Sequence, residues 1–65
     1  MEKISLKAAR VAAGYTQEGL ARLMGVQRQT VAAYERGERK PKQLYIEAFC
    51  TITGFSERDL LCPEN

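Results

Sequence analysis

The sequence predicts a compact all-α domain of five short helices. Its 65 residues suffice for one hydrophobic core, so we expect a single domain over residues 1–65. Hydrophobic residues make up 45% and charged residues 28%, which is the composition of a folded globular chain. Glycines and prolines divide the chain into segments of helical length, and no segment alternates β-branched with polar residues. We therefore expect helices and no sheet.

Capping residues and apolar spacing predict the bounds of the first three helices. Ser5 is a suitable N-cap for a first helix that runs to about Ala13. Thr16 is the N-cap of a second helix over residues 17–24, and a third helix covers about 28–36. The second helix is short, so we expect it to depend on packing against its neighbours. The inward faces of the three helices carry Leu6, Ala9, Ala13, Leu20, Ala21, Met24, Val31 and Tyr34.

The C-terminal part of the chain is predicted to hold two more helices. Pro41 is suited to the first turn of a helix over about 41–53. Ser56 followed by Asp59 resembles a capping box, which predicts a last short helix to about Leu61. The fourth helix offers a wide apolar face made of Leu44, Tyr45, Ala48, Phe49 and Ile52. The last helix would dock three apolar side chains on the core: Phe55, Leu60 and Leu61.

Residue types exclude several classes of function. The chain has no His, and Cys50 and Cys62 lack metal-ligand spacing, so we expect no metal, no cofactor and reduced cytosolic thiols. An enzyme is not expected, because the chain also lacks a phosphate-binding glycine loop and paired carboxylates in a plausible cleft. No small-molecule ligand is evident. No run approaches the ~20 apolar residues of a membrane span, and the N-terminus lacks an apolar signal core, so a cytoplasmic location is expected.

The charge is unevenly distributed along the chain. The formal net charge is +2, but residues 1–42 carry +5 and residues 43–65 carry −3. A basic front part indicates a polyanionic partner on one side of the molecule. On charge alone the alternative, an ordinary solvated surface, stays open.

Residues 17–36, with the sequence QEGLARLMGVQRQTVAAYER, hold the motif that indicates function. A small residue at Ala21 lets the third helix cross close over the second, and Gly25 can turn the chain with a positive φ. Val31 and Tyr34 would bury the back of the third helix and hold its polar front outward. This is the construction of a helix-turn-helix, whose second helix is available for the DNA major groove.

The chain resembles the Cro/repressor type of helix-turn-helix, also called the XRE family, of phage and bacterial regulators. The resemblance covers residues 6–61 and is carried by LKAAR, YTQ, LARLMGV, RQTVAAYERG and GERKP. It implies a lambda-repressor-like fold of five helices and a transcriptional regulator, of the repressor kind, that binds double-stranded DNA sequence-specifically. The chain departs from the family pattern at Gln27, a poor N-cap, and at Gly19, Ala32 and Ala33. The two alanines lower the expected number of base contacts.

The resemblance implies base readout at the N-terminal end of the third helix. Arg reads guanine and Gln reads adenine through paired hydrogen bonds in the major groove. Arg28 and Gln29 are the main candidates, followed by Gln27 and Thr30. Ala32 and Ala33 could touch a thymine methyl group. The alternative is that these side chains are only solvated.

Further residues are candidates for the DNA backbone and for a structural role. By resemblance Gln17 clamps a phosphate at the start of the second helix, where free backbone N–H groups favour an anion. Arg10 and Glu35 both lie on inward faces, and the resemblance implies that they form a structural ion pair. The basic residues after the third helix would bind phosphates and make the affinity depend on salt, unless they only form a solvated loop: Arg36, Arg39, Lys40 and Lys42.

We expect a homodimer on an operator with two half-sites about 34 Å apart. One domain of this size buries only about 600–1,000 Å² on DNA, so a second copy is the usual route to useful affinity. The expected contact between the two copies is the C-terminal segment, with Phe55, Leu60 and Leu61. The expected location is the cytoplasm of a bacterium, at the nucleoid.

The alternative hypothesis is a protein-interaction module that keeps the fold without specific DNA binding. A DNA-binding domain of a longer regulator would have the same sequence features.

Overall fold

The computed structural model describes residues 2–61 and is mostly helical. A short parallel pairing, Ile4 with Leu60 and Ser5 with Leu61, joins the two ends of the described chain. The elements follow in this order: β1 (Ile4–Ser5), α1 (Leu6–Ala12), α2 (Gln17–Met24), α3 (Arg28–Arg36), α4 (Gln43–Thr53), a 3₁₀ turn (Glu57–Asp59) and β2 (Leu60–Leu61). Cys62, one of the two thiols expected to be reduced, lies outside the described residues.

The expectations of a fifth helix and of no sheet are wrong. The described residues form four α-helices, and after the single 3₁₀ turn the chain straightens into β2. Leu60 is 2% exposed and Leu61 is 59% exposed, because a strand turns consecutive side chains to opposite faces. The strand has two residues, which is too short for alternation in the sequence to reveal it.

The local hydrogen bonds expected at Ser56 do form. Its hydroxyl donates to Asp59 Oδ2 at 2.8 Å, and its backbone N–H donates to the same oxygen at 3.3 Å. These two bonds hold the pKa of Asp59 below its ordinary value. The capping box therefore starts one turn, and the pairing of β2 with β1 ends it.

The first two helices begin at side-chain caps and the last two do not. Ser5 Oγ accepts a hydrogen bond at 3.0 Å, and Thr16 Oγ1 accepts one at 2.9 Å, each from the backbone N–H three residues on. Gln27 and Lys42, the residues before α3 and α4, make no such bond. Pro41 lies outside α4, because this helix begins at Gln43 and not at residue 41 as the proline predicts.

The core lies where the four helices meet. Phe49, Leu20 and Val31 are the largest fully buried side chains. The rings of Tyr34 and Tyr45 pack edge to face with centroids 4.6 Å apart. Burial of the Tyr45 hydroxyl raises its pKa to about 12. No helix within residues 2–61 has the length and apolar character needed to cross a membrane.

The buried face of α4 differs from the predicted one. Tyr45 and Phe49 are buried as predicted, but Leu44 is 79% exposed and Ile46, which was not predicted, is 4% exposed. The helix sequence QLYIEAFCTIT is apolar on nearly every side, so spacing alone does not single out one face. Packing against the other helices decides which side is buried.

We predict that Phe49→Ala unfolds much of the protein at room temperature. Loss of a fully buried ring costs about 3–5 kcal/mol, and a core this small supplies about as much, roughly 3–5 kcal/mol. Urea denaturation followed by circular dichroism measures the free energy of unfolding. Leu44→Ala, on the exposed side of the same helix, is the matched control and should change it by about 0.5 kcal/mol or less. Equal losses in the two variants would contradict the assigned face of α4.

Candidate nucleic-acid interface

A tight turn joins α2 to α3 and fixes how they cross. Gly25 has a left-handed φ of 73°, and the N–H of Val26 donates to the carbonyl of Ala21 at 3.0 Å. Ala21 is buried at the crossing, as predicted from its small size. Among the described elements, α2 and α3 share the most extensive contact. The two helices therefore form a helix-turn-helix with a defined geometry.

The N-terminal end of α3 presents polar side chains to solvent. Gln27, Arg28 and Gln29 are exposed, and Thr30 is half-buried. Ala33, the fifth candidate for a base contact, is only 8% exposed and offers little surface to a ligand. The exposed set can donate and accept hydrogen bonds at base edges, as the major groove requires.

Behind this face lies a buried ion pair. Arg10 Nε donates to Glu35 Oε2 at 2.7 Å, and Arg10 Nη2 donates to Glu35 Oε1 at 3.3 Å. Their side chains are 9% and 4% exposed. Arg10 Nη1 also donates to the carbonyl of Tyr15 at 2.8 Å, so one guanidinium connects α1, the turn before α2, and α3. The two residues that the family resemblance pairs are thus in direct contact.

Hydrogen bonds continue from this pair to the exposed end of α3. Gln17 Nε2 donates to Glu35 Oε1 at 2.9 Å, and Arg28 Nη1 donates to Gln17 Oε1 at 3.2 Å. The Glu35 carboxylate can only accept a hydrogen bond, and the Arg28 guanidinium can only donate one. The amide of Gln17 therefore directs its nitrogen toward Glu35 and its oxygen toward Arg28. The sequence singles out Gln17 and Arg28 separately, but no spacing rule predicts that they bind each other.

The last residue of α3 and the basic segment after it make two further contacts. Arg36 forms an exposed ion pair with Glu38, with Nε to Oε2 at 2.8 Å. This hydrogen bonding and the charge of the partner raise the pKa of Arg36 and lower that of Glu38. The guanidinium of Arg39 lies 5.6 Å from the centroid of the Tyr34 ring, in a cation–π arrangement. Sequence reasoning missed Glu38, since an acidic residue in a basic loop gave no functional signal.

Two grooves are lined by six of the candidate residues for DNA contact. One of about 430 Å³ is lined at the start of α3 by Gln27, Arg28 and Gln29, together with Arg22 from α2. The other, of about 350 Å³, brings Thr30, Arg39, Lys42 and Tyr45 to one surface between α3 and α4. The second groove connects a candidate for base contact with two candidates for phosphate contact. The remaining four candidates line neither groove: Gln17, Ala33, Arg36 and Lys40.

The C-terminal candidates for subunit contact are placed unequally. Leu60 is buried within the protomer, whereas Leu61 is exposed and Phe55 is half-buried. Acidic side chains of α4 and the 3₁₀ turn, Glu47 and Glu57, are exposed in the same part of the chain. Across residues 2–61, no cluster of three or more His, Cys, Asp or Glu side chains could hold a metal ion.

Comparison with known proteins agrees with this geometry. A family model described as "Helix-turn-helix" matches residues 6–60. The chain is 38% identical over 62 residues to the uncharacterized HTH-type transcriptional regulator YgzD of Bacillus subtilis, covering 95% of this chain and 94% of that protein. It is 34% identical over 59 residues to the uncharacterized HTH-type transcriptional regulator YazB of the same organism, covering 91% and 86%. No solved structure gives a significant match.

We predict that Arg10→Met destabilises the protein strongly, on the order of 3–5 kcal/mol, because it leaves the Glu35 carboxylate buried without its partner. Replacing both groups, by Arg10→Met with Glu35→Leu, should recover most of that loss, since no charge then stays buried. Urea unfolding of the two variants and the parent chain measures the difference. A double variant as unstable as the single one would contradict the assignment of the cost to an unpaired charge.

Proposed function

The chain belongs to the XRE-type helix-turn-helix family of DNA-binding transcriptional regulators, and we propose that it reads the DNA major groove with the N-terminal end of α3. The observation that carries the proposal is the position of Arg28. This residue is exposed at the start of α3, and its guanidinium donates a hydrogen bond to the amide oxygen of Gln17. The amide nitrogen of Gln17 in turn donates to Glu35 of the buried ion pair, so Arg28 is connected to the core. A guanidinium oriented before binding loses less side-chain entropy when it meets a base.

The donor pattern of this face favours guanine and adenine as the bases read. Arg28 uses Nη1 for Gln17, and its other N–H groups can bind guanine O6 and N7. Gln29 is exposed beside it and has the amide that pairs with adenine N6 and N7. Gln27 and Thr30 are at the edges of the same face, and Ala33 can contribute only a small part of its methyl group.

Backbone contacts would flank the reading face on both sides. Gln17 lies at the start of α2, where the amide N–H that it does not donate to Glu35, together with the free N–H groups of the helix, can bind a phosphate. Arg39 and Lys42 share a groove with Thr30, which suits a phosphate beside the bases that α3 reads. Lys40 would add sequence-independent attraction, and so would Arg36 when its guanidinium is released from Glu38.

We further propose that the protein acts as a dimeric repressor on an operator with two half-sites. A single α3 covers few base pairs, and a second copy doubles the readout and sets the spacing of the half-sites. Among the described residues of the C-terminal segment, the side chain of Leu61 is exposed and that of Phe55 is half-buried, so both offer apolar surface to a second copy. The acidic charge of that part suits a position away from DNA. Such a repressor would act in the cytoplasm of a bacterium, at the nucleoid.

Selection from random DNA duplexes tests the function directly. We expect an enriched motif with two related halves, and binding that weakens as salt increases. The enriched sequence would give the half-site, the spacing and the symmetry together. A selection that enriches no motif, combined with binding that does not depend on salt, would contradict DNA reading and favour the protein-interaction module.

We predict that Arg28→Ala and Lys42→Ala weaken binding in different ways. Arg28→Ala should cost about 1–3 kcal/mol on the selected operator and relax the preference at one base pair. Lys42→Ala should weaken binding to all sequences and reduce the salt slope by about 0.9, and it removes no helix cap. Fluorescence anisotropy with operator and scrambled duplexes at several salt concentrations measures both effects. Arg58→Ala, the same charge change in the C-terminal turn, is the control and should alter neither.

A further inference from the structure

The end of α3 and the segment that joins it to α4 contain one residue whose charge opposes the proposed function. Residues 36–42 carry four basic side chains and a single acidic one, Glu38. Each of the four basic residues is a candidate for contact with the DNA backbone. A carboxylate in their midst repels the phosphates that its neighbours attract. Its surroundings show which neighbour it affects.

Glu38 is bound to Arg36 through both of its carboxylate oxygens. Arg36 donates from Nε to Oε2 at 2.8 Å and from Nη2 to Oε1 at 3.0 Å. A guanidinium binds a phosphate with this same two-bond geometry. The Nε–Nη2 edge of Arg36, one of the edges through which a guanidinium binds a phosphate, is therefore occupied by a carboxylate.

The backbone brings the two side chains together without help from the ion pair. Gly37, between them, has a left-handed φ of 79°, and its N–H donates to the carbonyl of Tyr34 at 3.3 Å. The N–H of Glu38 donates to the carbonyl of Ala33 at 3.0 Å, which completes the hydrogen-bond pattern of a helix end. The side chains of Arg36 and Glu38 are 59% and 58% exposed, so their pairing contributes little to the stability of the fold.

We propose that Glu38 is an autoinhibitory residue that limits sequence-independent binding to DNA by occupying the Nε–Nη2 edge of Arg36 and offsetting its charge. The inference rests on the proposed function. A phosphate at the Nε–Nη2 edge must displace the carboxylate, and a phosphate at the remaining donors is repelled by it, so this arginine contributes little to the attraction between the free protein and any duplex. Base readout by Arg28, at the opposite end of α3, does not involve this pair. Weak attraction to arbitrary DNA shortens the time the protein spends away from its operator.

Binding to a short duplex of random sequence tests the inference and requires no knowledge of the operator. We expect Glu38→Gln to bind about 5–10-fold more tightly than the parent chain near 0.1 M salt, which is the effect of one added phosphate contact. The slope of log affinity against log salt, measured between about 50 and 200 mM, should become steeper by about 0.9. Fluorescence anisotropy gives both values, and circular dichroism melting should show equally folded proteins.

Two matched variants separate a local effect from a general effect of charge. Glu2→Gln changes the net charge equally, and Glu2 lines a cavity with Ile4, Phe55 and Asp59 that contains no candidate DNA contact, so we expect no tighter binding. In a chain that already carries Arg36→Gln, Glu38→Gln should also give no gain, because the group it releases is gone.

The outcomes distinguish this inference from the proposed function. Salt-dependent binding by the parent chain with no gain from Glu38→Gln would overturn the inference alone. A gain of the same size with Arg36→Gln present, or from Glu2→Gln, would also overturn it, since the effect would be one of net charge. Absence of salt-dependent binding in every variant would overturn both.

Discussion

The buried ion pair between Arg10 and Glu35 is the interaction on which the candidate DNA-binding surface depends. Taking two charges out of water is costly, and such a pair persists only where hydrogen bonds satisfy both groups. Here Arg10 binds both carboxylate oxygens and the carbonyl of Tyr15, and Glu35 accepts a further hydrogen bond from Gln17. These contacts join three helices and the turn between two of them, so they hold α3 in a fixed position relative to the rest of the core.

An exposed arginine lies at each end of α3, and the two differ in the charge of their hydrogen-bond partner. At the N-terminal end, the neutral amide of Gln17 holds Arg28 and leaves its charge and most of its donors free. At the C-terminal end, the carboxylate of Glu38 compensates the charge of Arg36. In the proposed function, the first arrangement prepares an arginine for a base, and the second withholds an arginine from the backbone. Both follow from which partner lies within hydrogen-bond distance, since the two arginines have the same chemistry.

Local signals in the sequence predicted the helix-turn-helix well. The caps at Ser5 and Thr16 and the positive φ at Gly25 depend on residues a few positions apart, so a reader of the sequence can recognise them. The buried face of α4 could not be read in this way, because Leu44 and Ile46 are equally apolar and only packing separates them. The prediction of a fifth helix was wrong because the capping box at Ser56 starts a turn but does not determine how many residues follow in helical conformation.

The sequence by itself determined which residue types stand where, the ends of the first three helices, and a basic front part opposed to an acidic end. It also indicated the helix-turn-helix family, because the motif is made of short-range spacing. Only the tertiary structure decided that Gln17 connects Glu35 to Arg28, and that β2 pairs with β1. The hydrogen-bonded partners in that connection are 18 and 11 residues apart, and the strands lie at opposite ends of the described chain. Contacts at such separations depend on how the helices cross, and the crossing is set by packing of the whole core.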